Sequence, residues 1–180
     1  MASVMAEAPP AAVALVEVKA FLRIAHSEED ALIAGFIRSA EGACEAFTGL
    51  ALIAREAVET VEASGAWRRL SLAPVRSIEE VVSVSGDGSE AALAAERYAV
   101  DIDAAGDGWV RVARSGEFTR ARVRFTAGMA ADWNGVPEPL RQGIVRLAAH
   151  LYAARGSEGT PPACVSALWR PWRRMRLGQS

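Results

Sequence analysis

The stretch Ser27–Gly49, SEEDALIAGFIRSAEGACEAFTG, decides the fold because it carries the clearest helical pattern in the chain. A serine followed by acidic residues suits the start of a helix, where free N–H groups need acceptors and the helix dipole favours negative charge. Apolar residues then recur at steps of three and four, and Gly49 supplies a C-terminal stop. We therefore predict an amphipathic helix over about residues 28–47, with Phe36 and Ile37 buried in the core.

After this helix the apolar pattern changes to alternation, which is typical of short strands. Glycine-rich turns separate the alternating segments, as at Gly86–Gly88 and Gly106–Gly108. The predicted strands are Ala51–Val61, Arg69–Leu72, Ile78–Val84, Tyr98–Ile102, Trp109–Val112 and Arg120–Thr126.

Helices flank the strands in sequence. Near the N-terminus, the apolar spacing predicts a short helix over Leu15–Ile24. After the strands, Pro137 and Pro139 open a helix whose apolar stripe reaches Tyr152, and Ala163–Trp169 forms a last short helix. This order predicts an α+β fold, with a helical core of about four helices and a small antiparallel β-sheet inserted between the N-terminal and C-terminal helices.

The chain has the length of one domain with a substantial core. Residues 1–12, rich in Ala and Pro, are predicted to form a flexible arm, and residues 13–170 a single domain. Residues 171–180 are predicted to form a C-terminal docking tail. The first ten residues contain no basic residue, which is the wrong start for a secretory signal, so we expect a cytoplasmic protein.

The composition argues against several functional classes. The formal net charge is −2, so no global field draws the protein onto DNA or an anionic membrane. Cys44 and Cys164 form no metal-binding pair, and His26 and His150 lie outside any metal-ligand spacing. The chain also lacks a nucleophile elbow, a phosphate loop and a dinucleotide fingerprint. We therefore predict no catalytic residue, no metal site and no cofactor.

An acidic segment, Asp101–Gly108, superficially resembles a calcium-binding loop. No glutamate follows at the twelfth position, and the flanking segments are predicted strands rather than helices. A hairpin turn with acidic ends is therefore the better interpretation.

The strongest functional signal is the C-terminal segment after Glu158, which contains no acidic residue. Trp and Arg are enriched at interface hot spots because each combines a large contact area with directional polar groups. We predict that this segment binds a partner through Trp169, Arg170, Trp172, Arg173, Arg174, Met175 and Arg176. For Trp169, packing on the protein's own core is an equal alternative.

A second basic feature is the segment Arg120–Thr126, in which arginines alternate with apolar residues. On a strand, alternate side chains point to opposite faces. One face is therefore predicted to be buried, while the other presents a ladder of three guanidiniums, from Arg120, Arg122 and Arg124.

Several short segments occur in an order found in one known family. They are VKAFLRI (18–24), CEAFTG (44–49), LAPVRSI (72–78), YAVD (98–101), VRFTAG (123–128) and VPEPLRQ (136–142). With these segments in this order, the chain resembles, from residue 15 to about 177, the head–tail connector (adaptor) proteins of long-tailed bacteriophages and phage-derived gene transfer agents.

The resemblance implies a structural adaptor rather than an enzyme. Such proteins form a ring, usually twelvefold, beneath the portal protein of the DNA-filled head. The ring extends the channel through which double-stranded DNA passes without sequence-specific binding, and it meets a stopper or tail-completion protein on its far side. The chain would assemble in the cytoplasm, bind no membrane and end at the head–tail junction of a phage or gene-transfer-agent particle.

For the basic features, the resemblance implies that the C-terminal segment contacts the portal or a neighbouring subunit. The resemblance does not fix which arginines touch DNA or the portal. From its charge, we expect the arginine ladder to face a neighbouring subunit or the channel. A second hypothesis is a nucleic-acid-binding module, in which the tail arginines contact phosphates and Trp172 stacks on a base. A third hypothesis, an enzyme of another type, would require a pocket with convergent polar groups.

Overall fold

The structure, a computed structural model, describes residues 4–5, 12–154 and 160–174 of the chain. These residues contain four α-helices and eight strands, so the predicted α+β class is confirmed. Residues within Met1–Glu7 and Ala54–Met129 form one compact unit, here called the strand unit. Residues within Ala8–Ile53 and Ala130–Ser180 form the second, here called the helical unit.

The helical unit contains the four helices of the described residues, α1 Ala12–Leu22, α2 Asp30–Thr48, α3 Glu138–Ala153 and α4 Ala163–Trp169. The N–H of Asp30 donates to the carbonyl oxygen of Ser27, and no side chain caps α2, so the serine that suits a helix start acts through its backbone carbonyl rather than its hydroxyl. Gly49 ends α2 with a φ of 73°, and its N–H donates to the carbonyl oxygen of Glu45. This left-handed conformation favours glycine and confirms the predicted stop.

The core of the helical unit lies between α2 and α3. Ile33 and Ile37 of α2 and Leu140 of α3 are fully buried. Phe36, by contrast, is only half-buried, and its ring meets that of Tyr152 edge-on with centroids 6.4 Å apart. The prediction that Phe36 is buried in the core is therefore wrong, because its ring lies at the margin of the apolar stripe.

The strand unit contains eight antiparallel strands among the described residues, two more than the six predicted, because Val4–Met5 and Glu90–Ala92 were not predicted as strands. Trp67–Arg69 overlaps the predicted Arg69–Leu72 at one residue, and the other strands match their predicted bounds to within a few residues. The eight strands are β1 Val4–Met5, β2 Arg55–Glu62, β3 Trp67–Arg69, β4 Val75–Val84, β5 Glu90–Ala92, β6 Tyr98–Ile102, β7 Gly108–Val112 and β8 Arg120–Ala127. One sheet has five strands in the order β1-β2-β8-β4-β5, and the other has three in the order β3-β7-β6. Two sheets therefore replace the single predicted sheet.

The two sheets of the strand unit share one apolar core. Strand β8 lies at the centre of the larger sheet and contributes Val123 and Phe125, both fully buried. Strand β7 lies at the centre of the smaller sheet and contributes Val110 and Val112. Burial of alternate residues on both strands leaves their other face to polar side chains, as the alternating sequence predicts.

Candidate partner-binding surfaces

The C-terminal segment changes conformation at Pro171. Helix α4 ends at Trp169, a 3-10 turn covers Arg170–Trp172, and the backbone is extended at Arg173. Proline cannot donate the hydrogen bond that would continue an α-helix. The predicted change from helix to tail at this point is therefore present in the structure.

Trp169 lies inside the helical unit rather than on its surface. Its side chain is 3% exposed, and its Nε1 donates to the carbonyl oxygen of Leu140 at 3.3 Å. The indole packs at 5.9 Å from the Phe47 ring and lies directly on Gly143, where a Cβ would come within 2.7 Å of Cε2. The structure thus favours the self-packing alternative for Trp169, which anchors α4 and holds the base of the tail.

The tail follows the C-terminal end of α2 as far as it is described. The guanidinium of Arg173 lies 5.6 Å from the centroid of the Phe47 ring, which is within cation–π distance. The backbone N–H of Arg174 donates to the carbonyl oxygen of Thr48 at 2.8 Å. Carbonyl oxygens at a helix C-terminus attract donors and cations. The amino-acid composition of the tail does not by itself predict that the tail packs on the C-terminal end of α2.

The predicted partner-binding residues therefore divide into three groups. Arg170 and Arg173 are exposed, while Trp172 and Arg174 are half-buried, so all four lie at least partly on the outer surface of the segment Arg170–Arg174. Trp169 supports this surface from below. Met175 and Arg176 lie outside the described residues.

The arginine ladder of β8 is exposed as predicted, but acids on β4 and β5 of the same sheet neutralise two of its three arginines. Arg124 pairs with Glu80 of β4 at 3.0 Å, and Arg122 pairs with Glu90 of β5. Opposite charges that face each other across strands stabilise a sheet modestly. Arg120 has no ion pair with any described residue, although it lies opposite Glu62 of β2.

Two neighbouring concavities lie in the loops at the Arg120 end of β8. The first, about 440 Å³, is lined by Arg114, Arg120 and the hydroxyl-bearing residues Ser64, Ser115 and Thr119. The second, about 300 Å³, shares Arg114 and also contains Arg97 and Arg111. The guanidiniums of Arg97 and Arg111 stack on the rings of Phe118 and Trp67, at 5.8 and 5.3 Å. None of these four arginines makes an ion pair with a described residue, and two acids, Glu62 and Glu96, line the same concavities.

The acidic segment before β7 forms a hairpin turn, as predicted. Asp103 Oδ1 accepts hydrogen bonds from the N–H groups of Ala105 and Asp107, both at 2.9 Å. Its Oδ2 accepts from Trp109 Nε1 at 3.0 Å. The carboxylate of Asp103 is thereby used to close the turn.

The two cysteines differ in environment. Cys44 is fully buried, and burial raises the pKa of its thiol to about 12, with smaller contributions from the carboxylates of Glu45 and Glu41. Cys44 is therefore a small residue of the core. Cys164 is exposed. Across the described residues, no helix has both the length and the hydropathy needed to span a bilayer.

Comparison with known proteins agrees with the predicted resemblance. Residues 13–85 match the family of phage gp6-like head–tail connector proteins. A chain from the neck of an empty gene transfer agent particle, computed with C6 symmetry, superposes with a TM-score of 0.80 at 28% identity, covering 100% of this chain and 99% of the other. A chain from the virion of a native gene transfer agent particle gives the same values.

A chain from the neck of a native gene transfer agent particle, computed with C12 symmetry, gives a TM-score of 0.75 at 26% identity, with coverage of 100% and 99%. No curated protein matches the sequence. The predicted resemblance to head–tail connectors of phages and gene transfer agents is therefore confirmed.

Proposed function

We propose that this chain, a structural neck component by its matches, forms a twelve-membered ring beneath the portal, extends the DNA channel and joins the head to a stopper or tail protein. One observation carries the proposal: the likeness to neck subunits covers 100% of this chain and 99% of theirs. The C12 symmetry of one matched neck supports a ring of twelve, and C6 symmetry in another is compatible with it. Assembly would take place in the cytoplasm, before the protein becomes part of the particle.

The C-terminal surface is the proposed portal contact. Trp169 fixes its base in the helical unit, so Arg170–Arg174 is presented on a rigid support rather than on a free end. Half-buried Trp172 supplies apolar area, and exposed Arg170 and Arg173 supply directional donors. The complementary surface on the portal or an adjacent subunit would be an acidic or apolar groove. Met175 and Arg176 would extend the same contact.

The charge distribution suits a channel through which DNA slides. A protein that neutralises many phosphates binds DNA tightly and in a salt-dependent manner. Here the net charge is −2, and acids of the same sheet pair with Arg122 and Arg124. Their exposed face could therefore meet either a neighbouring subunit or passing DNA without retaining it.

The experiment is assembly with purified portal rings, followed by electron microscopy and gel filtration. We expect the wild-type protein to form a stoichiometric collar. A variant lacking residues 171–180 should still fold, because the fully buried residues of the helical unit lie before Pro171. Its melting temperature should fall by only a few degrees, since only the tail's contacts with α2 are lost, but it should lose the collar. Trp67→Ala is the control, since Trp67 is a Trp that is 44% exposed but lies on the strand unit, outside the tail.

Two outcomes would contradict the proposal. Separate elution of wild-type protein and portal at near-physiological salt and micromolar concentration would refute the adaptor role at the portal. Retention of the collar without residues 171–180, together with loss of salt-sensitive binding to short DNA, would instead favour the nucleic-acid-binding alternative.

A further inference from the structure

The smaller of the two concavities in the strand unit carries an excess of arginine. It has a volume of about 300 Å³, and its lining includes Arg97, Arg111 and Arg114. None of the three forms an ion pair with a described residue. Glu96 also lines this concavity and is exposed. With three guanidiniums and one carboxylate, the concavity, here called the arginine pocket, carries two excess positive charges.

Backbone hydrogen bonds hold the walls of the arginine pocket in place. The N–H of Ala113, just after β7, donates to the carbonyl oxygen of Arg97 at 2.8 Å. The N–H of Gly65, in the turn before β3, donates to the carbonyl oxygen of Val112 at 2.9 Å. These bonds join three segments that are separate in sequence. The pocket is therefore already formed in the isolated subunit, as binding pockets usually are.

Aromatic rings restrain two of the guanidiniums. The guanidinium of Arg97 lies 5.8 Å from the centroid of the Phe118 ring, and that of Arg111 lies 5.3 Å from the centroid of the Trp67 ring. A ring face attracts a cation without taking up a conventional hydrogen bond. Both guanidiniums are therefore positioned before a ligand arrives, and they keep N–H groups for its acceptors.

The larger concavity extends the same surface, because Arg114 lines both. It adds Arg120 and the hydroxyl groups of Ser64 and Ser115. Each of these two hydroxyl oxygens accepts a backbone N–H, at 3.4 and 3.2 Å, and so still has its own proton to donate. A ligand that reaches both concavities therefore meets donors along its length.

These donors suit an oxyanion, because guanidinium groups bind carboxylates and phosphates through paired hydrogen bonds. The acids of the two concavities favour protein carboxylates over DNA. A duplex carries a continuous row of phosphates, which would approach the exposed carboxylates of Glu62 and Glu96 as well as the arginines. The carboxylates of a protein segment are separate groups that can meet the arginines and avoid both glutamates.

We propose that the arginine pocket binds an acidic segment of the stopper or tail protein, with one carboxylate held by Arg97, Arg111 and Arg114. The inference rests on the proposed adaptor function, because an adaptor that joins two proteins needs a second docking site besides its portal contact. The proposed portal contact lies on the C-terminal segment of the helical unit, whereas the arginine pocket belongs to the strand unit. A further acid of the same segment would meet Arg120.

A peptide titration of the full-length subunit tests the pocket directly. The probe is hexaglutamate, and the readout is the backbone amide resonances of Gly65 and Ala113 in NMR spectra, because these residues line the pocket and are present in every variant. Both resonances should shift saturably in the wild type. The double variant Arg111→Gln/Arg114→Gln should bind about tenfold more weakly or worse, because it loses charge-assisted hydrogen bonds. Both side chains are exposed, so the variant should fold normally.

Arg23→Gln is the matched control for the titration. Arg23 is likewise exposed and forms no ion pair with a described residue, but it lies at the end of α1 in the helical unit. This variant should bind hexaglutamate at the pocket as the wild type does. Equal binding by the wild type and the double variant would overturn the proposal. A short DNA duplex that shifts the same two resonances at lower concentration than hexaglutamate would also overturn it, because the pocket would then be a phosphate site.

Tail attachment tests the identity of the partner. DNA-filled heads that carry collars of each variant are mixed with purified tails of the same particle, and tailed particles are counted by electron microscopy. The double variant should form collars normally but yield about tenfold fewer tailed particles. Normal tailing, or loss of the collar itself, would overturn the assignment to the stopper or tail protein. If the wild type formed no collar, the adaptor function would be refuted, whereas the titration would still decide whether the pocket binds acidic peptides.

Discussion

Gly143→Ala is the substitution for which the helical unit makes the sharpest prediction. Gly143 lies within α3, where alanine is intrinsically better than glycine by about 1 kcal/mol. Its Cβ, however, would lie 2.7 Å from Trp169 Cε2 and closer still to Nε1. The rigid indole must then leave a site in which it is 3% exposed and hydrogen-bonded to Leu140.

The magnitude follows from what the indole loses. Removing a buried Trp side chain lowers the free energy of unfolding by about 3–5 kcal/mol. Partial displacement of the indole, together with loss of its hydrogen bond, should lower it by about 3–4 kcal/mol. After the gain of about 1 kcal/mol in helix propensity, we expect a net loss of about 2–3 kcal/mol. For a chain of this size, that corresponds to a fall in melting temperature of roughly 4–12 °C.

The assay is urea and thermal denaturation followed by far-UV circular dichroism, which reports mainly on the helices. Gly42→Ala is the matched control, because Gly42 is exposed on α2 and a Cβ there meets nothing within 4 Å. That variant should gain about 0.5–1 kcal/mol. If Gly143→Ala were as stable as the wild type, Trp169 would not be the anchor of α4.

Three further predictions concern the tail, the core and the thiols. Trp172→Ala should weaken portal binding by about tenfold or more while the protein stays folded, and full binding would remove this side chain from the interface. In urea denaturation, Ile37→Ala should cost about 3 kcal/mol and the half-buried Phe36→Ala about 1–2 kcal/mol; the reverse order would contradict the packing of α2. Burial raises the pKa of the Cys44 thiol from 9.0 to about 12, so its contribution to stability is complete below pH 9 and is lost as pH rises towards 12. A thiol reagent at pH 8 should therefore label Cys164 alone in the folded protein, and fast labelling of both would contradict the burial.

Periodicity predicted the long elements well because each repeats one pattern many times. Strand β6 has the predicted bounds Tyr98–Ile102, and β8 extends its predicted strand by one residue to Ala127. Strand β5, Glu90–Ala92, is too short to show alternation, and only its pairing with β4 defines it. Likewise, the half-burial of Phe36 depends on where α3 packs, and the spacing of apolar residues within α2 carries no information about that.

For the binding surfaces, the composition identified the C-terminal segment but not the contacts that hold it on the helical unit. The excess of Trp and Arg after Glu158 is visible in sequence, whereas the bond from Arg174 to Thr48 joins residues far apart in the chain. The acids that neutralise Arg122 and Arg124 were equally hidden, because they come from β5 and β4 rather than from β8 itself. Local sequence therefore shows which side chains are present, and tertiary pairing decides which of them remain available to a partner.

The strength of the contacts between the tail and α2 determines the free energy that a partner must supply to bind the tail. Up to Arg174 the tail is held by one backbone hydrogen bond and one cation–π contact, each worth about 1 kcal/mol. Releasing it should therefore cost about 2 kcal/mol, which a single Trp anchor in an interface can offset. Releasing Trp169 would cost about 3–5 kcal/mol, so we expect the tail to detach from Pro171 onward while Trp169 stays in place. A tail fixed at its base and weakly held beyond it can stay folded on the free subunit and still exchange its contacts for those of a ring.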